Sequence, residues 1–219
     1  MNQVAILYQN DEIFVIDKPA GLAVQGGQGV AHSLDVDFAK QVGQKVYLVH
    51  RLDKDTSGLM IVAKTASAAG KWTNLIGSKV ARKEYVALCA GLLSAKNGVI
   101  KDDIVQHGEN KAAVTHYQVE REWSLSVTGG DGSAMDVPLT LVRLKLETGR
   151  MHQIRIHLAK NGCPIAGDDQ HGNFKINKLL KKACGIKRLQ LASVRLTIPL
   201  DGKECVFELP VPFAMDKEI

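Results

Sequence analysis

The chain has 219 residues, enough to bury a substantial core in one or two domains; its 45% hydrophobic and 23% charged composition, with only 6 prolines, excludes disordered or collagen-like polymers. A balance of 28 basic against 23 acidic residues leaves a net charge of +5 and a pI near 9.0, which suits a polyanionic partner without specifying one. Cys89, Cys163, Cys184 and Cys205 form no C-x-x-C pair, which excludes a zinc ribbon and a disulfide framework and leaves single buried thiols as the expectation.

The N-terminal stretch MNQVAILYQNDEIFVIDKP is interrupted by Asn10, Asp11 and Glu12 and has neither the basic start nor the cleavage site of a signal peptide. No apolar run approaches the roughly 18–20 residues needed to cross a bilayer, so a cytoplasmic protein with no membrane partner is expected. Ile13–Ile16 is apolar on both faces and predicts a buried strand that stops at the turn sequence Lys18-Pro19-Ala20-Gly21. Leu34, Phe38 and Val42 recur at helical spacing. Val46–Val49 and Leu59–Ala63 predict strands around a polar loop, and Trp72, Leu75 and Ile76 mark a helical face between Thr65 and Ser78.

Strands are then predicted at Glu84–Cys89, Ala113–Glu120, Leu139–Leu146, Leu189–Ile198 and Glu204–Leu209. The clearest is the alternation of Val142, Leu144 and Leu146 with Arg143, Lys145 and Glu147. Ser124–Asp136, with Gly129-Gly130-Asp131-Gly132, reads as an exposed loop or a long hairpin. Met151–Asn161 fits strand and helix alternation alike; Asn161-Gly162 is a good helix terminator and favours the helix. Strands outnumber helices without alternating regularly with them, which predicts an α+β class with a mixed, largely antiparallel sheet and flanking helices.

Three segments carry chemistry. His50-Arg51-Leu52-Asp53-Lys54-Asp55-Thr56-Ser57-Gly58 gathers two acids, two bases, a histidine and two hydroxyls in nine residues between apolar strands. Composition alone fits either a carboxylate presented to a cleft or a solvated turn in which Asp55 or Ser57 caps the backbone. In Thr148-Gly149-Arg150-Met151-His152-Gln153-Ile154-Arg155-Ile156-His157, two arginines follow a glycine, and a helix starting here would add free N–H groups as phosphate donors. His152 and His157 are five apart, a poor spacing for shared ligation on one helical face, so no metal is expected. Arg82-Lys83-Glu84-Tyr85-Val86-Ala87 runs a basic cluster into a strand, where a tyrosine is commonly plain packing.

Together these segments resemble the RluA-type pseudouridine synthases. The resemblance rests on HRLDKDTSGLMIVAKT, RKEYVAL and LETGRMHQIRIHLA, supported by EIFVIDKPAGLAV, KAAVTHYQV and PIAGD in family order, from about Ile6 to Pro210. It implies one catalytic domain over residues 1–219 with an active-site cleft across the sheet, and RNA, ribosomal or transfer, as the partner. It further implies Asp53 as nucleophile, Tyr85 packed against the target base and aiding a late proton removal, and Arg155 paired with Asp53. Arg51 would help hold the extruded nucleotide, and His50, Thr56, Gly149, Arg150, His152 and Gln153 complete the implied substrate-binding set.

No cofactor is implied, and a monomer is expected. The chain is expected to begin at the catalytic domain, without the small ribosomal-protein-like RNA-binding domain that many relatives carry. Two departures stand out: His171 occupies the aromatic position of GD-x-x-YG, and Leu189-Gln190-Leu191-Ala192-Ser193 replaces L-x-LHA. Neither falls on the nucleophile, tyrosine or arginine positions, so they are expected to affect substrate preference or local packing rather than activity. Two rival readings are a noncatalytic RNA-binding or RNA-folding protein on this fold, and a glycosidase-like hydrolase pairing Asp53 with Asp55.

Overall fold

The computed structural model describes residues 3–27, 31–128 and 133–213. Along the chain run β1 (Ala5–Gln9), β2 (Ile13–Lys18), α1 (Leu34–Val42), β3 (Tyr47–Leu48), β4 (Ser57–Ala63), α2 (Ala66–Gly77), β5 (Arg82–Ala90) and β6 (Asn97–Lys101). They are followed by β7 (Ile104–Gln106), β8 (Glu109–Lys111), β9 (Val114–Thr128), β10 (Ala134–Leu146), α3 (Gln153–Lys160), α4 (Phe174–Cys184), β11 (Leu191–Leu200) and β12 (Lys203–Glu208). The described residues fall into two compact units, within Met1–Lys83 together with Ala192–Pro210 and within Glu84–Leu191 together with Val211–Ile219. No helix among the described residues is long and apolar enough to cross a membrane.

In the first unit β4 is central. It pairs antiparallel with β2 on one edge, and with β3 antiparallel and β11 parallel on the other; β1 extends β2 and β12 extends β11. Being covered on both faces, Ile13–Ile16 of β2 and Leu59–Ala63 of β4 are continuous apolar runs instead of alternating. Ile13, Val15, Leu59 and Ile61 pack with Trp72 of α2 and with Leu196 and Ile198 of β11 in one core cluster. The Trp72 indole N–H donates to Glu12 Oε2 at 2.9 Å, so burying this ring strands no polar group. Phe14 meets Phe38 of α1 edge-to-face, with ring centroids 5.2 Å apart.

In the second unit β10 lies between β5 and β9, all antiparallel, and β6 adds to β9; β7 and β8 form a separate hairpin. A register shift between Leu141 and Val142 marks a bulge that inserts Glu120 into β9.

The expected α+β class with a mixed, mostly antiparallel sheet is what the chain forms. The ambiguous segment is helical, as α3, and the strand expected at Val46–Val49 is only two residues long. Ser124–Asp136 is a long hairpin instead of a loop, with β9 running to Thr128 and β10 starting at Ala134; its glycine tip lies outside the described residues. The cysteine expectation needs correction. Cys89 and Cys163 are buried, but Cys184 is exposed and Cys205 only half-buried. Burial, and a thiol–thiol hydrogen bond with Cys163, push the Cys89 thiol well up.

Candidate active-site residues

In the first unit the segment from His50 to Gly58 folds as a tight loop entering β4, with the Thr56 N–H donating to the Asp53 carbonyl at 3.1 Å. Leu52 and Thr56 are buried and Arg51 is exposed, while Asp53 and Asp55 are half-buried. Two carboxylates thus sit two residues apart on an anchored turn. Gly58 has φ +107°, and a Cβ there would come 2.1 Å from the Ser193 carbonyl oxygen, so only glycine lets β11 approach.

The anchor is Lys18, which the sequence reading passed over inside a turn. Its side chain is wholly buried, and Nζ donates to the Pro19 and Leu22 carbonyls at 2.9 Å and to that of Lys54 at 3.1 Å. The Gly21 N–H donates to the same Lys54 carbonyl at 2.9 Å, so two donors converge on the peptide joining Asp53 to Asp55. Burial lowers the Lys18 ammonium to about 8, against the upward pull of Asp55, Asp53 and Asp17. A buried lysine at the end of a strand was the available signal, since such a group is seldom buried without partners.

The sign of the resulting pH effect is fixed. Between about pH 8 and the unfolded value of 10.5 the folded chain has released a proton that the unfolded chain still holds, so stability rises with pH across that window. The displacement corresponds to about 3 kcal/mol, at ~1.4 kcal/mol per tenfold change in proton affinity. Urea unfolding of wild type and Lys18→Met from pH 7 to 11 should show this rise in the wild type alone. Parallel pH profiles would mean that the ammonium is not desolvated.

His50 is placed by the same loop. Its Nε2 accepts the Ile61 N–H at 3.0 Å, supplying β4 with an acceptor just where β3 leaves the sheet. Burial and the nearby Lys83 charge hold the imidazole well below its ordinary range, so the neutral ring carries its proton on Nδ1, which is buried without a partner among the described residues. The ring is therefore an anchor for the loop.

In the second unit Tyr85 is buried on β5, opposite Leu144 of β10. Gln153, expected to bind substrate, uses its whole amide internally. Oε1 accepts the Thr148 hydroxyl at 2.8 Å and the Arg150 N–H at 3.0 Å, while Nε2 donates to the Val114 carbonyl and Thr115 Oγ1, each at 3.0 Å. It folds the loop that leaves Gly149 and Arg150 exposed, with Arg150 Nε donating to the Ala112 carbonyl at 3.2 Å. His152 caps α3 in the left-handed conformation, φ 55°.

Arg155 on α3 is buried, and Asp168 grips it through two hydrogen bonds: Nε to Oδ2 at 2.8 Å and Nη2 to Oδ1 at 2.7 Å. Asp169 lies 3.5 Å from the same Nη2. Burial opposes the Asp168 charge, but the Arg155 hydrogen bonds and the His171 and Gln170 N–H groups outweigh it and hold the carboxyl below its usual range. This two-point grip fixes the guanidinium plane as a single contact would not.

His171 reaches back to the same region, its Nε2 3.0 Å from His152 Nδ1 and its N–H 3.0 Å from Asp168 Oδ1. The departures from the family pattern therefore do not stand apart from the motifs. His171 buttresses His152 and Asp168, and Ala192 and Ser193 pair with Ser57 and Gly58. By contrast His157 is buried elsewhere on α3, with Nε2 donating to the Asp102 carbonyl at 3.0 Å, away from the His152–His171 pair.

Comparison with known proteins bears on what these loops serve. The RNA pseudouridylate synthase family matches residues 12–160, a span that includes the Asp53 loop, Tyr85 and Arg155. The chain belongs to that family. It is an RNA isomerase, a pseudouridine synthase. It is 31% identical to ribosomal large subunit pseudouridine synthase C of Rickettsia prowazekii, the match covering 98% of this chain and 70% of the relative. It is 34% identical to ribosomal large subunit pseudouridine synthase D of Nitrosomonas europaea, covering 94% of this chain and 62% of that protein. The fold matches human RNA pseudouridylate synthase domain containing 4 with a TM-score of 0.72 at 26% identity, over 94% of this chain and 88% of that one.

Proposed function

We propose that this pseudouridine synthase isomerises uridine in ribosomal RNA, with Asp53 as nucleophile and Tyr85 and Arg155 serving it. The observation that carries the reading is the Asp53 loop, a half-buried carboxylate on a turn locked through Lys18 and entering a buried strand. The names of the relatives point to ribosomal RNA of the large subunit. Transfer RNA is the second substrate class to be tested.

The reaction breaks the bond from C1′ of the ribose to N1 of uracil, turns the base, and joins C1′ to C5. The C5 proton leaves and N1 gains one, so atoms and electrons balance without oxidant, reductant or group donor. Attack by Asp53 on the sugar or on the ring begins alike with an ionised carboxylate. Arg155 is read as the cation that serves this carboxylate, and the Asp168 grip fixes the plane of its guanidinium. Tyr85 packs against the base and aids removal of the C5 proton. Extruding the nucleotide costs about a few kcal/mol, which phosphate contacts from Arg51 and Arg150 help offset; both are exposed.

The test is to incubate the protein with transcribed large-subunit ribosomal RNA and, separately, transfer RNA, and to map pseudouridine in each. Isomerised uridine in the ribosomal transcript is the expected result. Binding without product would support the noncatalytic RNA-binding reading, and released uracil would support the hydrolase.

A further inference from the structure

We infer that α4 and the segment after it form a second RNA-docking surface, which grips the phosphate backbone away from the target nucleotide. The inference rests on RNA being the substrate and deepens that reading. From Phe174 to Arg188 the sequence FKINKLLKKACGIKR holds six basic residues, Lys175, Lys178, Lys181, Lys182, Lys187 and Arg188, and no acid. The chain has 28 basic and 23 acidic residues, so the other 204 positions hold 22 against 23, a net charge of −1. The positive charge of the protein is a property of this one segment.

All six side chains are exposed, and none forms an ion pair among the described residues. The other helices differ. In α1, Asp35 and Asp37 accompany Lys40, and in α2 the one lysine, Lys71, pairs with Glu12. A merely solvated helix face mixes signs in this way, whereas Lys178 and Lys182 repel one turn apart, at roughly 0.2–0.5 kcal/mol, with no acid to offset it.

The helix is well built for the purpose. Asn173 caps its start by accepting the Lys175 and Ile176 N–H groups at 3.1 Å, and Gly185 ends it in the left-handed conformation. Leu180 is buried, and Ile176 and Leu179 are half-buried, which turns the lysines outward. Lys175, Lys178 and Lys182 fall on one stripe about 10 Å long, sufficient for two or three consecutive phosphates. Phe174, 65% exposed at the head of the stripe, offers a ring on which an unpaired base can stack.

The surface is also fastened to the Arg155 region. Asn177 on α4 donates from Nδ2 to the Asp168 carbonyl at 2.8 Å and accepts the Gly167 N–H at 2.9 Å. Gly167 has φ +75°, and a Cβ there would lie 2.1 Å from the Arg188 carbonyl oxygen, so the far end of the basic segment closes on the same loop. RNA held on α4 is thereby registered to the carboxylate that orients Arg155. The segment presents no broad apolar face for a membrane, because Leu180 is buried, Ile176, Leu179 and Ile186 are half-buried, and Phe174 is its one exposed large apolar side chain.

The experiment uses the full chain and transcribed large-subunit ribosomal RNA. Binding is measured between about 50 and 200 mM salt, and turnover at saturating RNA. Lys175→Gln/Lys178→Gln/Lys182→Gln should bind about tenfold or more weakly near 100 mM salt, with a log–log salt slope shallower by about 2, each phosphate contributing roughly 0.7–0.9. Its turnover at saturation should stay within about twofold of wild type. Lys40→Gln/Lys101→Gln/Lys203→Gln, an equal loss of charge elsewhere, should leave the slope nearly unchanged, and Phe174→Ala should weaken binding without altering it.

An unchanged slope in the α4 variant would overturn the inference, as would an equal change in the control. So would loss of binding to phosphatidylserine vesicles with RNA affinity intact. If the wild type binds RNA but forms no pseudouridine, the functional reading fails instead, and the docking surface is judged on the slopes alone.

Discussion

Asp53→Asn should fold as the wild type does, bind RNA, and form no measurable pseudouridine, a fall of about ten-thousandfold or more on the scale of other enzymes that lose a nucleophile. The exchange keeps the shape of the side chain and removes its charge and most of its nucleophilicity. The loop is anchored through backbone carbonyls, since the Thr56 N–H and the Lys18 ammonium bond to those of Asp53 and Lys54, and the Asp53 charge supports the Lys18 ammonium less than that of Asp55 does, so the exchange should cost little stability. Asp55→Asn is the matched comparison, removing one negative charge from the same turn. Its carboxylate is the foremost of three that favour the charged form of buried Lys18. It should therefore cost some stability and leave measurable turnover. Two folded but inactive variants would point to the two-carboxylate hydrolase, with released uracil as the deciding product. Wild-type turnover by Asp53→Asn would remove Asp53 from the chemistry.

How much of this was legible beforehand follows from the kind of force involved. The β2, β4, α1 and α2 elements declare themselves because burial leaves a local pattern, a continuous apolar run at Ile13–Ile16 and a helical period at Leu34, Phe38 and Val42. Helix α4 escaped the reading because most of its residues are exposed and Leu180 alone is buried, which leaves too thin an apolar stripe. The short β6 is set by pairing with β9, and β7 and β8 are three-residue strands of one hairpin, too short to show a pattern of their own.

At the candidate site, motif resemblance marked Asp53, Tyr85 and Arg155 but not what holds them. Lys18, Asp168 and His171 act through contacts across 36, 13 and 19 positions. Long-range partners of this sort leave no local spacing to read. The motif likewise marked Gln153 without showing that its amide holds together the loop in which it sits.

The Arg155–Asp168 pair gives the largest expected effect on stability together with one on activity. Both side chains are almost fully buried, 6% and 0% exposed, so removing one leaves the other charged without its counterpart, at about 3–5 kcal/mol. Arg155→Ala should melt well below the wild type and lose turnover. The Asp168 carboxyl is held below its ordinary value in the folded chain, so the stability it contributes is present above the unfolded value near ~3.9 and is lost as the pH falls through the folded one. Without Arg155, burial raises that carboxyl, and the gap in stability between variant and wild type should narrow on acidification. A second variant, Arg155→Met/Asp168→Asn, separates fold from chemistry. It buries no unpaired charge, and its amide oxygen can still accept the Gln170 and His171 N–H groups, which now reach Asp168 Oδ1 at 2.9 and 3.0 Å. Much of the lost stability should return, while pseudouridine formation stays absent. Recovery of activity by the double variant would reduce Arg155 to a structural residue, and unchanged melting of Arg155→Ala would show that the grip on Asp168 carries no stability.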